Sequence, residues 1–175
     1  MPDRFHIPLA TDHRAVAVEL QGMLVDLLDL TLIGKHAHWN VEGSHFRSLH
    51  HELDELVKQW RALSDEVAER TVTIGASPDG QAETIAGATE LEPLPAGQLR
   101  DRQVLKAIGD RLAGTGVRTR QRLDRVAADD PVSFDLLVRV AGTLEKQLWM
   151  IRAQFPDRET PAGRAPDASN GARAA

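Results

Sequence analysis

Cysteine is absent from all 175 residues, which excludes disulfides, thiolate metal sites and a cysteine nucleophile. No stretch approaches the length of uninterrupted apolar sequence that a spanning helix needs, and the opening MPDRFHIPLATDH has no apolar signal-like core, so neither a membrane span nor a secretory leader is expected. Strand-like alternation is missing as well. What remains is ordinary for a soluble domain, with 42% hydrophobic and 27% charged residues and a net charge of −5. That reads as one cytoplasmic domain large enough for its own core. Seven histidines without a single cysteine direct any metal site toward imidazole and carboxylate ligands, which suit iron, manganese or zinc.

Helical spacing runs through nearly the whole chain. A first helix is expected over 12–41, with Leu20, Leu24, Leu27, Leu28 and Thr31 inward. Glu42-Gly43-Ser44 interrupts it, and Ser44 is the expected N-cap of a second helix over 45–74. The stripe of that helix is Phe46, Leu49, Leu53, Leu56, Trp60, Leu63 and Val67. So short a break makes the two an antiparallel hairpin. The segment 75–97 holds Pro78, Gly80, Gly87, Pro93 and Pro95 around apolar Ile85 and Ala86. A connection that long should contain an element of its own, and a short helix is expected over 81–87.

A third long helix follows over 98–128, with Val104, Ile108, Leu112, Leu123 and Val126 inward and Gly114 and Gly116 weakening its middle. Asp130-Pro131 then signals a cap and first turn. It opens a fourth helix to 155 through Phe134, Leu137, Ala141, Leu144, Leu148 and Ile151. Two hairpins joined by one long crossover make an all-α, ferritin-like four-helix bundle with a short extra helix in the crossover. The expected organisation is a tail over 1–11, the bundle over 12–155, and an Ala, Gly and Pro rich disordered tail over 156–175.

The second helix carries two pairs of metal-type ligands on one face: His50 with Asp54, and Asp65 with Glu69. At 100° per residue the four fall within a roughly 100° arc. Yet His50 and Asp65 are fifteen positions apart, about 22 Å along the axis at ~1.5 Å per residue. Either the pairs are unrelated, or a second copy runs antiparallel and brings its Asp65 and Glu69 to this chain's His50 and Asp54. Positions 50 and 69, like 54 and 65, average 59.5, so one two-fold axis near Gln59 and Trp60 superposes both pairs. His38 continues the inward stripe of the first helix, and its depth below the hairpin turn lets it join His50 and Asp54. His36 points roughly opposite, and His51 lies 100° around from His50. Imidazole plus carboxylates with open positions is a common non-haem iron arrangement. Intrahelical Glu-x-x-His, the usual ferritin signature, occurs once, as Glu42 to His45 at the turn, and is discounted.

Lys35-His36-Ala37-His38-Trp39-Asn40-Val41, Gly43, Phe46, Leu49-His50, Asp54-Glu55, Asp65-Glu66-Val67-Ala68-Glu69-Arg70 and Pro78-Asp79-Gly80 together resemble the signature of the Dps family. These are the mini-ferritins, which protect DNA in starved bacteria. Leu144-Glu145-Lys146 and Trp149 fit the same style. The resemblance implies a homo-oligomeric shell of twelve subunits built from two-fold dimers. In it His38, His50 and Asp54 of one subunit and Asp65 and Glu69 of the next bind Fe(II). The iron is oxidised there, with hydrogen peroxide preferred, and ferric mineral is stored in the cavity. Trp39 would stand beside this ferroxidase site and quench stray oxidising equivalents, its alternative role being an interface aromatic. Asp130 and Asp135 are candidates for an acidic pore.

Two rival readings stand beside it. One is a DNA-packaging protein with a weak iron site. Its support is thin, because family members that condense DNA use Lys-rich tails. Here Asp3, Arg4, Asp12 and Arg14 cancel at one end, and Arg158, Arg164 and Arg173 cancel Asp157, Glu159 and Asp167 at the other. The third helix is more basic, with Arg100, Arg102, Lys106, Arg111, Arg118, Arg120, Arg122 and Arg125 against Asp101, Asp110 and Asp124. No aromatic residue is interleaved, so it reads as a solvated face. The other rival stores zinc or manganese without redox chemistry. His6 and His13, near Asp3 and Asp12, read as exposed tail histidines rather than an accessory metal site.

Overall fold

Why the hairpin forms is visible in a computed structural model, which describes residues 13–155. Helix α1 spans His13–Asn40 and α2 spans Phe46–Thr73. Their facing stripes interlock, with Leu20, Met23, Leu27, Leu30, Leu53 and Trp60 fully buried, each worth ~1.5–3 kcal/mol of transfer. The helices approach closely at Gly34, where a Cβ would lie 2.6 Å from the Trp60 ring and 2.7 Å from a Val57 methyl. A short α3, Ala82–Ala88, sits in the crossover and buries Ile85. Helices α4, Asp101–Val126, and α5, Pro131–Arg152, form the second hairpin. The expected all-α bundle is present. The tails, with His6, Asp3 and Asp12, lie outside the described residues.

Four local expectations are corrected. A two-residue parallel ladder pairs β1, Val41–Glu42, with β2, Leu99–Arg100, so α4 begins three residues later than its apolar spacing suggests. Ser44 does not cap α2. His45 occupies the cap position without a side-chain cap bond, and its N–H and Nδ1–H instead donate to Asp101 Oδ2 at 3.1 and 2.9 Å. Gly43 at φ 131° makes this turn against Asp101 possible, in a conformation that L side chains avoid. Phe46, placed in the core by its spacing, is 45% exposed, because it stands at the open rim of the hairpin. Helix α5 stops at Arg152, and Phe155 is reached through turns whose N–H groups bond Ile151 O and Arg152 O.

Asp130 caps α5 as its sequence indicates, accepting from Val132 N at 3.2 Å. It is also 5% exposed and held by Arg70 and Ser133 at 2.5 Å each. Burial opposes its ionisation, but the bonds from Arg70 and Ser133 outweigh that and hold its carboxyl below the usual range. Asp130 is thus spent within the chain, whereas Asp135 lies on an exposed turn of α5. His13 is likewise engaged, its Nδ1–H donating to Ile74 O at 3.1 Å.

Candidate metal centre

The end of α1 and the start of α2 bring three of the expected residues together. His38 and His50 stack face to face, with ring centroids 3.6 Å apart and planes 24° from parallel. Each ring is locked by the other's backbone: His38 Nδ1 lies 2.9 Å from His50 O, and His50 Nδ1 lies 3.0 Å from His38 O. A carbonyl oxygen only accepts, so both Nδ1 atoms carry the hydrogen and both Nε2 atoms carry the lone pair. Two imidazoles are thus fixed in the tautomer that ligates metal through Nε2, the backbone supplying the orienting hydrogen bonds. Phe46 packs 5.1 Å from the His50 ring, so the aromatic misassigned to the core is a wall of this site.

Asp54 joins the pair, its Oδ1 lying 3.3 Å from His38 Nδ1. The same oxygen accepts from Lys35 Nζ at 2.8 Å. That bond from Lys35, with further help from the charges around it, holds the Asp54 carboxyl below its ordinary range despite some desolvation. Trp39 is beside the site but 70% exposed, with Lys35 Nζ 5.5 Å above its ring. His51 is exposed and meets His50 only edge-on at 6.0 Å. His36 turns away, to Pro95 O at 3.3 Å.

Asp65 and Glu69 are not at this cluster. They lie on exposed turns farther along α2, and a groove lined by Leu24, Leu28, Arg61, Asp65, Ala68 and Pro78 runs beside Asp65. Among the described residues neither makes a side-chain bond, and no three His, Asp or Glu side chains of one chain could hold a metal ion. Trp60, midway along α2 between the two pairs, is buried inward and bonds Gln147 Oε1 at 2.9 Å. The residues presented outward at that level are Lys58 and Arg61, both exposed. Glu42 and His45, the sole Glu-x-x-His, are spent elsewhere: Glu42 pairs with Arg100 at 3.3 Å and His45 with Asp101 at 2.9 Å.

The basic stretch of the third long helix is largely exposed, as expected at Arg100, Arg102, Lys106, Arg120 and Arg125, but Arg111, Arg118 and Arg122 are drawn inward. Asp26 of α1, 2% exposed, accepts from Arg118 at 2.8 Å and from Arg122 at 2.7 Å. Arg125 pairs with Glu19 at 3.1 Å, Arg120 with Glu145 at 2.5 Å and Lys106 with Asp110 at 2.6 Å. Arg111 donates to the Glu92, Pro93 and Ala107 carbonyls, and Arg102 covers the Phe155 ring. With Arg100 on Glu42, each of the eight cations has a partner inside the chain. Sequence spacing missed Asp26; the available signal was an acidic residue on the inward side of α1 opposite two arginines one turn apart.

No helix among the described residues is long and apolar enough to cross a membrane. Residues 18–159 match the family model described as a ferritin-like domain. The DNA protection during starvation protein of Mycolicibacterium smegmatis is 37% identical over 153 residues, covering 86% of this chain and 84% of that one. DNA protection during starvation protein 2 of Deinococcus radiodurans is 37% identical over 152 residues, covering 87% of this chain but 63% of its own greater length. Among solved structures, Mycobacterium smegmatis Dps superposes with a TM-score of 0.82 at 33% identity, covering 93% of this chain and 95% of that one. With this fold, the paired histidines at the hairpin mouth and these relatives, the chain belongs to the Dps family of ferritin-like proteins.

Proposed function

We propose that this protein is a mini-ferritin, a ferroxidase that removes Fe(II) and peroxide together and stores the ferric product inside a homo-oligomeric shell. The carrying observation is the His38–His50 stack, whose Nδ1 atoms are fixed on backbone carbonyls at 2.9 and 3.0 Å. That arrangement presents two ligating nitrogens and only one nearby carboxylate, Asp54, which is half a site. Asp65 and Glu69, exposed and about 22 and 28 Å beyond His50 along the same helix, supply the other half from an antiparallel partner. A two-fold axis level with Lys58 and Arg61 does this twice per dimer.

The metal is substrate here, not a resident cofactor. Imidazoles hold Fe(II) as borderline ligands, and the carboxylates favour Fe(III) by neutralising its extra charge. Two Fe(II) each give one electron to peroxide. Its O–O bond breaks, two protons are taken up, and two waters leave, so no hydroxyl radical is released. Trp39, exposed next to the cluster, is placed to donate an electron when only one iron is present.

Protection of DNA then comes from removing the reagents of radical chemistry rather than from coating the duplex. The burial of Arg118 and Arg122 against Asp26 supports that preference, since phosphate binding needs accessible cations. Closure of two-fold dimers into a cytoplasmic or nucleoid dodecamer completes the reading. Stopped-flow Fe(II) oxidation with peroxide and with oxygen, beside native mass measurement, is the test. Rapid oxidation favouring peroxide in a twelve-subunit particle is expected. Salt-sensitive DNA retention without iron oxidation would instead select the packaging role, and tight zinc or manganese loading without oxidation the buffering role.

A further inference from the structure

The dyad that completes the metal sites also gathers charge of the opposite sign. On α2, Lys58 and Arg61 fall inside the same roughly 100° arc as His50, Asp54, Asp65 and Glu69. Their positions likewise average 59.5, so a two-fold axis that sets His50 against the partner's Glu69 sets Lys58 against the partner's Arg61. Both side chains are exposed, and among the described residues neither the ammonium nor the guanidinium is bonded to any group. Arg61 lines a groove of about 520 Å³ with Leu24, Leu28, Asp65 and Pro78, so space is left beside it.

Four cations drawn together at the centre of a dimer repel one another. Of the carboxylates one turn away on α2, Asp54 and Asp65 are metal ligands in the reading above, on which this inference rests. Glu55 stands outside the arc, 60° around from Lys58. Two helices packed ~8–10 Å apart hold the four charges close enough for one multivalent anion to touch them all. We propose that Lys58 and Arg61 of both chains form a binding site on the dimer axis for a free tetrahedral oxyanion of the phosphate class. A tetrahedral ion has two-fold axes of its own, so it fits the dyad with two oxygens turned to each chain. Each guanidinium meets an oxygen pair with its planar fork, and each ammonium adds a point charge. One chain supplies only half of the site. A nucleic-acid phosphate is not the occupant, because a duplex cannot pass between helices at that spacing.

The experiment titrates inorganic phosphate into metal-free, full-length assembled protein by calorimetry, with chloride holding the ionic strength constant. One phosphate per two chains is expected. Arg61→Gln and Lys58→Gln should each weaken it about tenfold or more, since each removes two charge-assisted contacts per site. Arg61→Lys, which keeps the charge but not the fork, should lose less than Arg61→Gln. Phosphate should also raise the thermal unfolding midpoint of wild type above that in chloride and leave Arg61→Gln unmoved. Phosphate that binds once per chain, or equally in wild type and both Gln variants, or not at all, overturns the proposal, as does its displacement by a short DNA duplex. Native mass and a Zn(II) titration separate this from the reading beneath it. A paired, assembled protein whose Zn(II) binding is lost in His50→Ala, yet which takes no phosphate, removes the anion site alone. Subunits that never pair, or a His50→Ala variant that binds Zn(II) as wild type does, remove the metal-site reading itself.

Discussion

The seam between α1 and α4 and the outer face of α1 and α2 are both rich in charge, yet they treat it in opposite ways. At the seam, Asp26 is almost completely buried and closed by Arg118 and Arg122, with Glu19 and Arg125 completing the set. On the outer face, Asp65 and Glu69 lie on exposed turns and the two histidines keep a lone pair each. Charges satisfied within the chain hold the fold. Charges left open mark where something else must arrive. Substitutions at the two places should separate stability from chemistry.

The largest loss of stability is expected from Asp26→Ala, which strands two largely buried guanidiniums and should cost roughly 3–5 kcal/mol, read as lowered unfolding resistance in denaturant. Asp130 comes next. Its folded carboxyl titrates below its unfolded value, so its stabilisation is fully present above the unfolded pKa of ~4 and is lost as pH falls through the folded one. Asp130→Asn should lower stability at neutral pH by about 2–3 kcal/mol and flatten that acid limb, since Arg70 loses its counter-charge. Gly34→Ala forces a methyl into the Trp60 ring and should cost about 1–3 kcal/mol. It should also slow iron oxidation, because Lys35 and His38 follow directly on that turn.

At the open face the order inverts. His50→Ala, or Asp65→Ala with Glu69→Ala, should change unfolding by only about 0.5–1 kcal/mol while sharply slowing Fe(II) oxidation in an assembled shell. Unchanged ferroxidation in either variant contradicts the assignment. Smallest is Asp135→Asn, expected to slow iron entry without altering oxidation of iron already inside, as followed by uptake kinetics.

Helical spacing and turn residues were enough to read the bundle, its crossover helix and the Asp130 cap, because long amphipathic helices repeat one signal many times. What escaped was contact between segments far apart in the chain. Asp101 taking over the cap role of Ser44 depends on Gly43 and on a residue 56 positions distant, and the β1–β2 ladder pairs 41 with 99. Phe46 has the right period but lies past the end of its partner helix, so the core cannot cover it. The ligand pairs were legible because a single helix fixes their angles. Lys35 at Asp54 was not, since nothing in local spacing says which of several nearby groups a long flexible side chain will choose.

The central claim is that each metal site is completed across a dyad, and mixed assembly tests it most directly. Subunits carrying His50→Ala are co-assembled with subunits carrying Asp65→Ala and Glu69→Ala, each inactive alone. A site shared between chains regains function in every mixed dimer, where one of its two sites is intact. Random pairing should then restore about a quarter of wild-type Fe(II) oxidation. No recovery in verified mixed shells would mean that the five ligands do not work across the interface.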